Sequence, residues 1–301
     1  MNTADLDLFI RTADSGSITR AAEQLDISTA AASAALKRLE KQLNVQLFIR
    51  STRQLRLTSE GERFLVHCRA ALESLEVGKD SIHALQGKVA GEIRMSAPSD
   101  VGRNVLLPWI DEMMDEHPEL SINLTLGDSL SDFYLDRVDC AIRYGTPEDS
   151  SMVAFELAKV ERIICASPQY VKTYGAPNEP DELKNHNCLI YQLSNRLYDH
   201  WEFSSNKNQA LGQYKVRVTS NRTSNDSDLV RRWAVSGKGI AFKSYIDVFN
   251  DIQAGRLMRL LPDYGTPDVV VNLICPTRKQ ITPAVLLMRD FFREKLRAVS
   301  S

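Results

Sequence analysis

The sequence predicts a multidomain chain: a small all-α domain over residues 1–58, a long linker helix over 59–87, and an α/β domain of two lobes over 91–301. Three observations predict it. The first part shows short helical periodicities, and the second is one helical pattern without a proline. All 11 prolines lie beyond Gly91, where apolar strand-like runs alternate with helical runs. A length of 301 residues fits two or three domains.

The composition is that of an ordinary globular protein, with 43% hydrophobic and 25% charged residues. The net charge of −2 neither indicates nor excludes a nucleic-acid partner, since a basic patch can lie within a neutral total. No apolar run reaches the roughly 18–20 residues of a membrane span, and the N-terminus lacks a secretory pattern. We therefore expect no membrane partner and a cytoplasmic location, where the five cysteines are free thiols.

The first domain reads as three helices, two of them joined by a tight turn. Gly16 ends the first helix, Ser17 is a good N-cap for the second, and Ser28 caps a third helix that runs to about Leu43. Small alanines at the crossing allow close packing of the second and third helices, as in a helix-turn-helix. The apolar positions with helical spacing are Leu6, Phe9, Ile10, Ala13, Ala21, Ala22, Leu25, Ala32, Leu36, Leu39 and Leu43.

Basic residues concentrate at the end of this domain. Between Ile27 and Thr58 there are six basic residues and one acidic residue, a local net charge of +5. Residues 45–58 read as a β-hairpin whose tip and arms carry Arg50, Arg53 and Arg56. Such a hairpin can place arginines on phosphates or in a minor groove. The alternative is a solvated basic face on a small helical domain.

These features resemble the winged helix-turn-helix of LysR-type transcriptional regulators. The resemblance is carried by Phe9, Gly16, Ser17, Ala21, Ala22, Leu25, Ser28, Ser33, Leu36, Leu39, Glu40, Leu47, Phe48, Arg50, Leu57, Thr58 and Gly61. It continues through residues 165–168, 236–240 and 255–257, and so covers essentially the whole chain. The resemblance implies a ligand-responsive DNA-binding regulator with a second domain like that of periplasmic binding proteins.

By this resemblance the third helix enters the major groove, and its N-terminal part reads bases. The implied DNA-binding residues are Ser28, Thr29, Ala30, Ser33, Ala34 and Lys37, together with Arg50 and Arg53 of the hairpin. This helix departs from the family pattern because its alanines offer few hydrogen-bond donors. Alanine methyls can contact thymine methyls, so we expect A·T-rich sites and shape readout to matter here.

The long helix carries a 3.5-residue apolar repeat, which is typical of a two-helix seam. The seam positions are Phe64, Cys68, Ala71, Leu75, Gly78, Ile82 and Leu85. The alternative is a helix that packs on the core of its own domain. Pairing would produce a homodimer or homotetramer that matches an interrupted, two-fold-symmetric site on double-stranded DNA.

The last domain reads as two lobes, lobe I over about 91–161 and 267–301 and lobe II over about 162–266. Each lobe combines strand-like and helical runs, which predicts a mixed, largely parallel α/β sheet. The strand-like run 269–275 and the final helix have no partners within lobe II, so we expect them to return to lobe I. A chain that crosses twice between lobes makes a hinge with a cleft beside it.

Ligands of open α/β sheets lie outside the carboxyl ends of strands, which predicts an effector site in this cleft. The candidates from strand ends are Ser96, Ser99, Asp100, Ser129, Arg143 and Tyr144, and the family resemblance adds Asn225, Phe242 and Lys243. Hydroxyls and basic groups suit an organic acid, whereas Asp100 favours an amine or a hydroxylated ligand. The alternative is a set of capping serines and salt-bridged surface bases.

Enzymatic motifs are missing from the sequence, which contains no GxSxG, P-loop, HExxH or GxGxxG pattern. His186 and Cys188 lack further ligands at metal-binding spacing, so we expect no metal and no cofactor. No cysteine pair is placed to match the peroxide-sensing members of the family. The sequence favours a transcription regulator, and the family resemblance implies contact with RNA polymerase. A solute-binding protein and a small-molecule enzyme are the alternatives.

Overall fold

The structure is a computed structural model, which describes residues 2–50, 55–85, 89–128, 138–147, 152–193, 196–205 and 213–300. The chain divides into two compact units, Met1–Ile82 and His83–Ser301. The two units correspond to the predicted fold class: the first combines a helix-turn-helix with a two-stranded hairpin, and the second is α/β. Among the described residues, no helix combines the length and the apolarity that crossing a bilayer requires.

The first unit confirms the predicted order of three helices and a hairpin. Its elements are α1 (Thr3–Ser15), α2 (Ile18–Gln24), α3 (Thr29–Leu43), β1 (Phe48–Arg50), β2 (Leu55–Leu57) and α4 (Ser59–Leu85). The strands β1 and β2 pair in antiparallel register. The Ser17 and Ser28 side chains accept hydrogen bonds from the backbone of α2 and α3, as the sequence predicts for N-caps. Asn44 ends α3 in the left-handed region.

Phe9 forms the centre of the core of the first unit. Its ring lies 5.4 Å from that of Phe48 and 5.5 Å from that of Phe64, so it joins α1, the hairpin and α4. Gly61 fits where no side chain would, because a Cβ there would lie 2.3 Å from the Leu47 carbonyl oxygen. The start of α4 therefore packs directly on the backbone that leads into the hairpin.

The second unit alternates strands and helices along most of its length. Its strands are β3 (Gly91–Ala97), β4 (Leu120–Leu126), β5 (Cys140–Tyr144), β6 (Val153–Val160), β7 (Arg162–Ala166), β8 (Cys188–Leu193), β9 (Arg196–Leu197), β10 (His200–Ser205), β11 (Gln213–Arg217), β12 (Thr223–Ser224), β13 (Ile240–Ser244), β14 (Met258–Leu260), β15 (Tyr264–Gly265) and β16 (Val269–Cys275). Its α-helices are α5 (Ser99–Val101), α6 (Leu107–Glu116), α7 (Pro168–Tyr174), α8 (Ser227–Val235), α9 (Tyr245–Gln253) and α10 (Pro283–Ser300). A π-helical turn (Gly102–Leu106) joins α5 to α6, and two 3₁₀ turns cover Pro180–Asn185 and Arg278–Gln280.

Two main sheets define the lobes. The first has the strand order β4-β3-β5-β16-β6, and the second has the order β12-β8-β13-β7-β14, with β9 beside β8. The strand β16 thus lies in the lobe I sheet, where the sequence places it. Both sheets are mixed rather than largely parallel, because β16 runs antiparallel to β5 and β6, and β7 runs antiparallel to β13 and β14.

The chain crosses between the lobes at two places. The first crossing lies between β6, which ends at Val160, and β7, which begins at Arg162. The second lies between β15 and β16. A third sheet of order β11-β10-β15 adds to lobe II; the sequence analysis did not predict it. Two backbone crossings between two sheets are the arrangement that a hinged cleft requires.

Candidate functional site

The exposed face of α3 carries most of the residues predicted to read bases. Ala30, Ala34 and Lys37 are exposed and lie at helical spacing on one face, while Ser33 is half-buried. The opposite face holds Ala32, Leu36 and Leu39, which are buried in the core. Ser28 and Thr29 are exposed at the start of the helix. The face is therefore small, apolar and flanked by a single lysine from the predicted set.

Two further basic residues of this region have different surroundings. Arg38 donates to the buried Asp5 carboxylate on α1 at 2.6 Å, so it is held by its own unit. Arg56 is exposed on the second strand of the hairpin. Of the two hairpin arginines predicted to bind DNA, the backbone of Arg50 ends β1, and Arg53 lies outside the described residues.

Glu40 fixes the hairpin to α3. Its Oε1 atom accepts backbone hydrogen bonds from Leu47 at 2.9 Å and from Phe48 at 3.3 Å. Each bond is charge-assisted and so stronger than a bond between neutral groups. The single acidic residue of the basic region therefore positions the hairpin relative to the helix predicted to enter the groove.

The predicted pairing seam on α4 divides into two parts. Phe64 and Cys68 pack into the core of the first unit, as the alternative interpretation of this helix expects. Ala71 and Leu75 are exposed, Leu75 to 51%. The side chains of Ile82 and Leu85 lie outside the described set. Along the seam positions, exposed apolar surface therefore begins near Ala71.

The lobes meet where the N-terminus of α8 faces the end of β3. The Ser227 amide of lobe II donates to Ser99 Oγ at 3.0 Å and to Asp128 Oδ2 at 2.9 Å. Ser99 in turn donates to Asp128 Oδ2 at 2.9 Å, and the Ser99 amide donates to Asp128 Oδ1 at 2.6 Å. A carboxylate of the chain thus accepts from the amide at the start of α8, where the helix dipole favours negative charge.

A buried ion cluster lies beside this contact. Lys243 Nζ is 2.7 Å from Asp100 Oδ2 and 2.9 Å from Asp247 Oδ2, and it donates to Ser227 Oγ at 2.7 Å. Asp100 belongs to lobe I, while the other three residues belong to lobe II. Lys243, Asp100 and Asp247 are all almost fully buried. The three ammonium protons of Lys243 are occupied within the protein, so none remains to bind an anion.

The surroundings favour the charged forms of Asp100 and Lys243 but oppose ionisation of Asp247. Burial opposes ionisation of Asp100, but the Lys243 charge and hydrogen bonds from Lys243 and Ser227 outweigh it and lower the pKa of Asp100. Burial and the neighbouring Asp100 charge raise the pKa of Asp247 to about 6, against the opposing charge of Lys243. Burial acts to lower the pKa of Lys243, and the two carboxylates outweigh it and raise that pKa.

Asn104 adds a neutral bridge between the lobes. Its side-chain amide donates to Asp228 Oδ1 at 3.1 Å and to Asp247 Oδ1 at 2.8 Å, both on lobe II. Arg103, next to it, lies 3.4 Å from Asp226 on the same lobe. These contacts are polar, whereas Ile246 of α9 adds an apolar contact, because it packs into the hydrophobic core of lobe I. The polar contacts can be exchanged for contacts with water or with a ligand.

The remaining candidates of the cleft are spread over both lobes. Ser96 is buried, and its Oγ accepts a hydrogen bond from Arg143 Nη2 at 2.7 Å. Phe242 is half-buried beside Trp201, with 5.5 Å between ring centroids, while Asn225 is exposed. Ser129 lies outside the described residues. Tyr144 ends β5, and its hydroxyl is buried.

Several residues of the cleft escaped the sequence reasoning. Asp128, Ser227, Asn104 and Asp247 all make interlobe contacts. Asp128 directly follows the end of β4, so the strand-end rule that selected its neighbour Ser129 also covers it. No local signal distinguishes the other three, because their partners lie over a hundred positions away in the sequence.

The cysteines are all free and buried. Burial raises the pKa of Cys68 to about 11 and that of Cys165, Cys188 and Cys275 to about 12. Thiols with raised pKa values and no exposure are poor nucleophiles. In the described part of the chain, no three metal-ligating side chains cluster as an ion would require.

Comparison with known proteins covers nearly the whole chain. Residues 3–62 match the family described as bacterial regulatory helix-turn-helix protein, lysR family, and residues 86–297 match the LysR substrate binding domain. The HTH-type transcriptional regulator DmlR of Escherichia coli K12 is 29% identical over 96% of this chain and 94% of its own length. The HTH-type transcriptional activator TtdR of Escherichia coli O6:K15:H31 is 32% identical over 87% of this chain and 83% of its own.

A solved structure of a LysR-type regulator also matches this chain along its whole length. CrgA, a LysR-type transcriptional regulator from Neisseria meningitidis, is 26% identical, covers 100% of both chains and has a TM-score of 0.61. The relatives and this structural neighbour are transcriptional regulators rather than enzymes, as the sequence predicted.

Proposed function

The chain belongs to the LysR family of bacterial transcriptional regulators, and on that premise we propose a more specific function. It binds an interrupted, two-fold-symmetric DNA site as an oligomer, and a small molecule bound between its two lobes changes the geometry of that oligomer on DNA. The observation that carries this proposal is the polar network between the lobes around Ser99, Asp128 and Ser227.

The exposed face of α3 supports readout of the major groove. Ala30 and Ala34 present methyl groups that can contact thymine, and Lys37 lies one turn further along the same face, within reach of the phosphates. Because this face offers few hydrogen-bond donors, specificity draws on A·T content and on DNA shape. Arg50 and Arg53 of the hairpin supply contacts to phosphates or to a narrow minor groove.

Pairing through α4 supports the two-fold symmetry. Ala71 and Leu75 leave exposed apolar surface at the predicted 3.5-residue spacing, and a second copy of the helix would cover it. We expect a homodimer or homotetramer, which acts in the cytoplasm and contacts RNA polymerase. Leu75→Glu should shift the sedimentation coefficient toward that of the monomer. Val66→Glu, on an exposed apolar residue off the seam, should not.

The interlobe network supports effector control. An equilibrium between two lobe arrangements shifts only if a ligand binds one arrangement better than the other. A ligand that takes the place of interlobe contacts such as Ser227 with Ser99 and Asp128 would meet that condition. The sequence favours an organic acid as the effector, with an amine or a hydroxylated ligand as the alternative.

The test is the sequencing of host genomic fragments that the purified protein retains at physiological salt. We expect one interrupted, two-fold-symmetric site. Lys37→Ala should weaken binding to all fragments and reduce the slope of log affinity against log salt by about one. Lys238→Ala, an exposed lysine of the second unit, is the matched control.

Diffuse retention that vanishes as salt rises would contradict sequence-specific binding by the protein alone. No retention at any salt would contradict the regulator itself. An unchanged salt slope for Lys37→Ala would remove that residue from the DNA interface.

A further inference from the structure

Arg162 differs from Arg143 in its surroundings. It is the first residue of β7, directly after the chain crosses from lobe I to lobe II. Its Cζ lies 3.9 Å from the centroid of the Phe242 ring. Yet within the described ranges no hydrogen-bond acceptor or carboxylate pairs with its guanidinium. By contrast, Arg143 donates to Ser96. A guanidinium carries five donors and no acceptor, so the donors of Arg162 are available to a ligand.

Arg162 is half-buried, so its guanidinium stays within reach of water or of a ligand. Burial lowers the pKa of Arg162, and the titratable groups around it oppose that shift; these are Tyr144, Tyr198, Asp100 and Glu202. Asp100 is already paired with Lys243 at 2.7 Å, and Glu202 with Lys215 at 2.5 Å. The nearby negative charge is therefore held by other cations.

Two buried hydroxyls without partners lie beside this arginine. Tyr144 Oη on lobe I and Ser244 Oγ on lobe II are both buried, and neither forms a hydrogen bond in the structure described. Ser244 is the register partner of Arg162 across β13 and β7. Ser244 also occupies the N-cap position of α9, yet its side chain does not cap that helix. A serine at that position ordinarily accepts a backbone hydrogen bond there, so this hydroxyl is left available.

The two hydroxyls lie near each other and near Arg162. Burial and the Asp100 charge raise the pKa of Tyr144, while Ser244 and Arg162 act in the opposite direction. No hydrogen bond of acceptable geometry joins Tyr144 to Ser244. Three polar groups from lobe I, from lobe II and from the crossing between them therefore converge with no mutual partner.

We propose that Arg162, Tyr144 and Ser244 form an anion subsite at the hinge end of the interlobe cleft, which binds a carboxylate of the effector. This inference rests on the proposed function and names the chemical class of its ligand, a small organic acid. One carboxylate offers about four acceptor positions, enough for two guanidinium donors and two hydroxyls. Such charge-assisted bonds are about twice as strong as neutral ones.

The rest of the cleft favours this position for the anion. At the start of α8, Asp128 already supplies a carboxylate to the Ser227 amide. Lys243 is saturated by Asp100, Asp247 and Ser227. Phe242 stacks on the guanidinium and gives the subsite an apolar wall that suits the carbon skeleton of an organic acid.

A carboxylate in this subsite would bridge the lobes. Tyr144 lies on β5 of lobe I, whereas Ser244 ends β13 of lobe II. A ligand that accepts from both stabilises one lobe arrangement relative to others, which is the requirement for regulation by that ligand.

The test uses the full chain with acetate, succinate and benzoate as sodium salts at constant ionic strength. Acetamide, succinamide and benzamide are the uncharged controls. Thermal unfolding is followed by tryptophan fluorescence, because the tryptophans Trp109, Trp201 and Trp233 all lie in the second unit. We expect at least one carboxylate, and not its amide, to raise the unfolding temperature in a saturable manner.

Substitutions then locate the site. Arg162→Gln should weaken the binding of that carboxylate by about tenfold to a hundredfold. Tyr144→Phe and Ser244→Ala should each weaken it by about threefold to tenfold. Without ligand, Arg162→Gln should not lower the unfolding temperature, whereas removal of a merely structural arginine would lower it. Arg222→Gln is the matched control, because Arg222 lies 5.7 Å over the Trp233 ring of the same lobe but outside the cluster.

The proposal is overturned if none of the three carboxylates shifts the unfolding temperature, or if Arg162→Gln binds as tightly as the unsubstituted protein. Retention of genomic DNA, measured on the same preparation, separates the two hypotheses. DNA binding without a carboxylate effect would contradict the proposed subsite but not the regulator function. A carboxylate effect that depends on Arg162, without DNA binding, would contradict the regulator function but support the subsite.

Discussion

Replacement of Lys243 by methionine tests the buried cluster that joins the lobes. The substitution keeps most of the side-chain volume but removes the positive charge from between Asp100 and Asp247, 2.7 and 2.9 Å away. Two carboxylates would then remain buried without their shared cation. Removing one partner of a buried ion pair costs about 3–5 kcal/mol, because the remaining charge is left uncompensated. We expect the free energy of unfolding at pH 7 to fall by about that amount.

Urea denaturation followed by tryptophan fluorescence measures this loss in the second unit, which contains every tryptophan of the chain. Lys238→Met is the matched control, since Lys238 is an exposed lysine of the same lobe. Surface substitutions of that kind usually change stability by less than about 0.5 kcal/mol. Adding Asp247→Asn to Lys243→Met should restore at least about 1 kcal/mol, because it removes one uncompensated charge.

The pH dependence supplies a second check. At pH 5 Asp247, whose pKa is raised to about 6 even beside Lys243, takes up a proton at little cost, so the loss should be smaller than at pH 7. A Lys243→Met variant as stable as the Lys238→Met control at pH 7 would refute the reasoning. A loss that Asp247→Asn does not reduce would show that it has a cause other than uncompensated charge.

Two further predictions concern separate parts of the molecule. Gly61→Ala should destabilise the first unit by about 1–3 kcal/mol, because its Cβ would lie 2.3 Å from the Leu47 carbonyl oxygen. Gly78→Ala should stabilise α4 slightly, because its Cβ would have no atom within 4 Å and alanine favours a helix. Circular dichroism at 222 nm measures both, and equal stability of the two variants would contradict the packing argument. Asp247, with a pKa of about 6 against an ordinary 3.8, binds its proton more tightly when folded, so its contribution to stability falls as pH rises between those values, by up to about 3 kcal/mol. Asp247→Asn should remove that slope in urea denaturation at pH 4 to 7, and a slope identical to that of the unsubstituted protein would exclude this residue as its source.

The sequence predicted most elements of the first unit because their signals are local. The caps Ser17 and Ser28 act on amides three residues away. The apolar spacing of α1 and α3 likewise records which face is buried. The seam on α4 is different, because a 3.5-residue repeat does not say what covers it. The structure places Phe64 and Cys68 in the core of their own unit.

The cleft residues divide in the same way. The sequence predicts Ser99, Asp100 and Tyr144 as cleft residues because they lie at or after strand ends, and the ends of neighbouring strands meet at one edge of a sheet. The position of a residue at a strand end does not predict which other groups it pairs with. The family resemblance implied Lys243 as a ligand-binding residue, yet its charge is taken by Asp100, 143 residues away, and by Asp247.

The sequence by itself determined the class of protein, the order of its domains and the surfaces that carry basic and small residues, because these depend on residue type and on neighbours along the chain. Only the tertiary structure decided which polar groups are satisfied. Neither Arg162 nor Ser244 stands out in the sequence by any pattern around it. Partners over long separations fix whether a buried donor has an acceptor, and no local pattern encodes the partner that is missing.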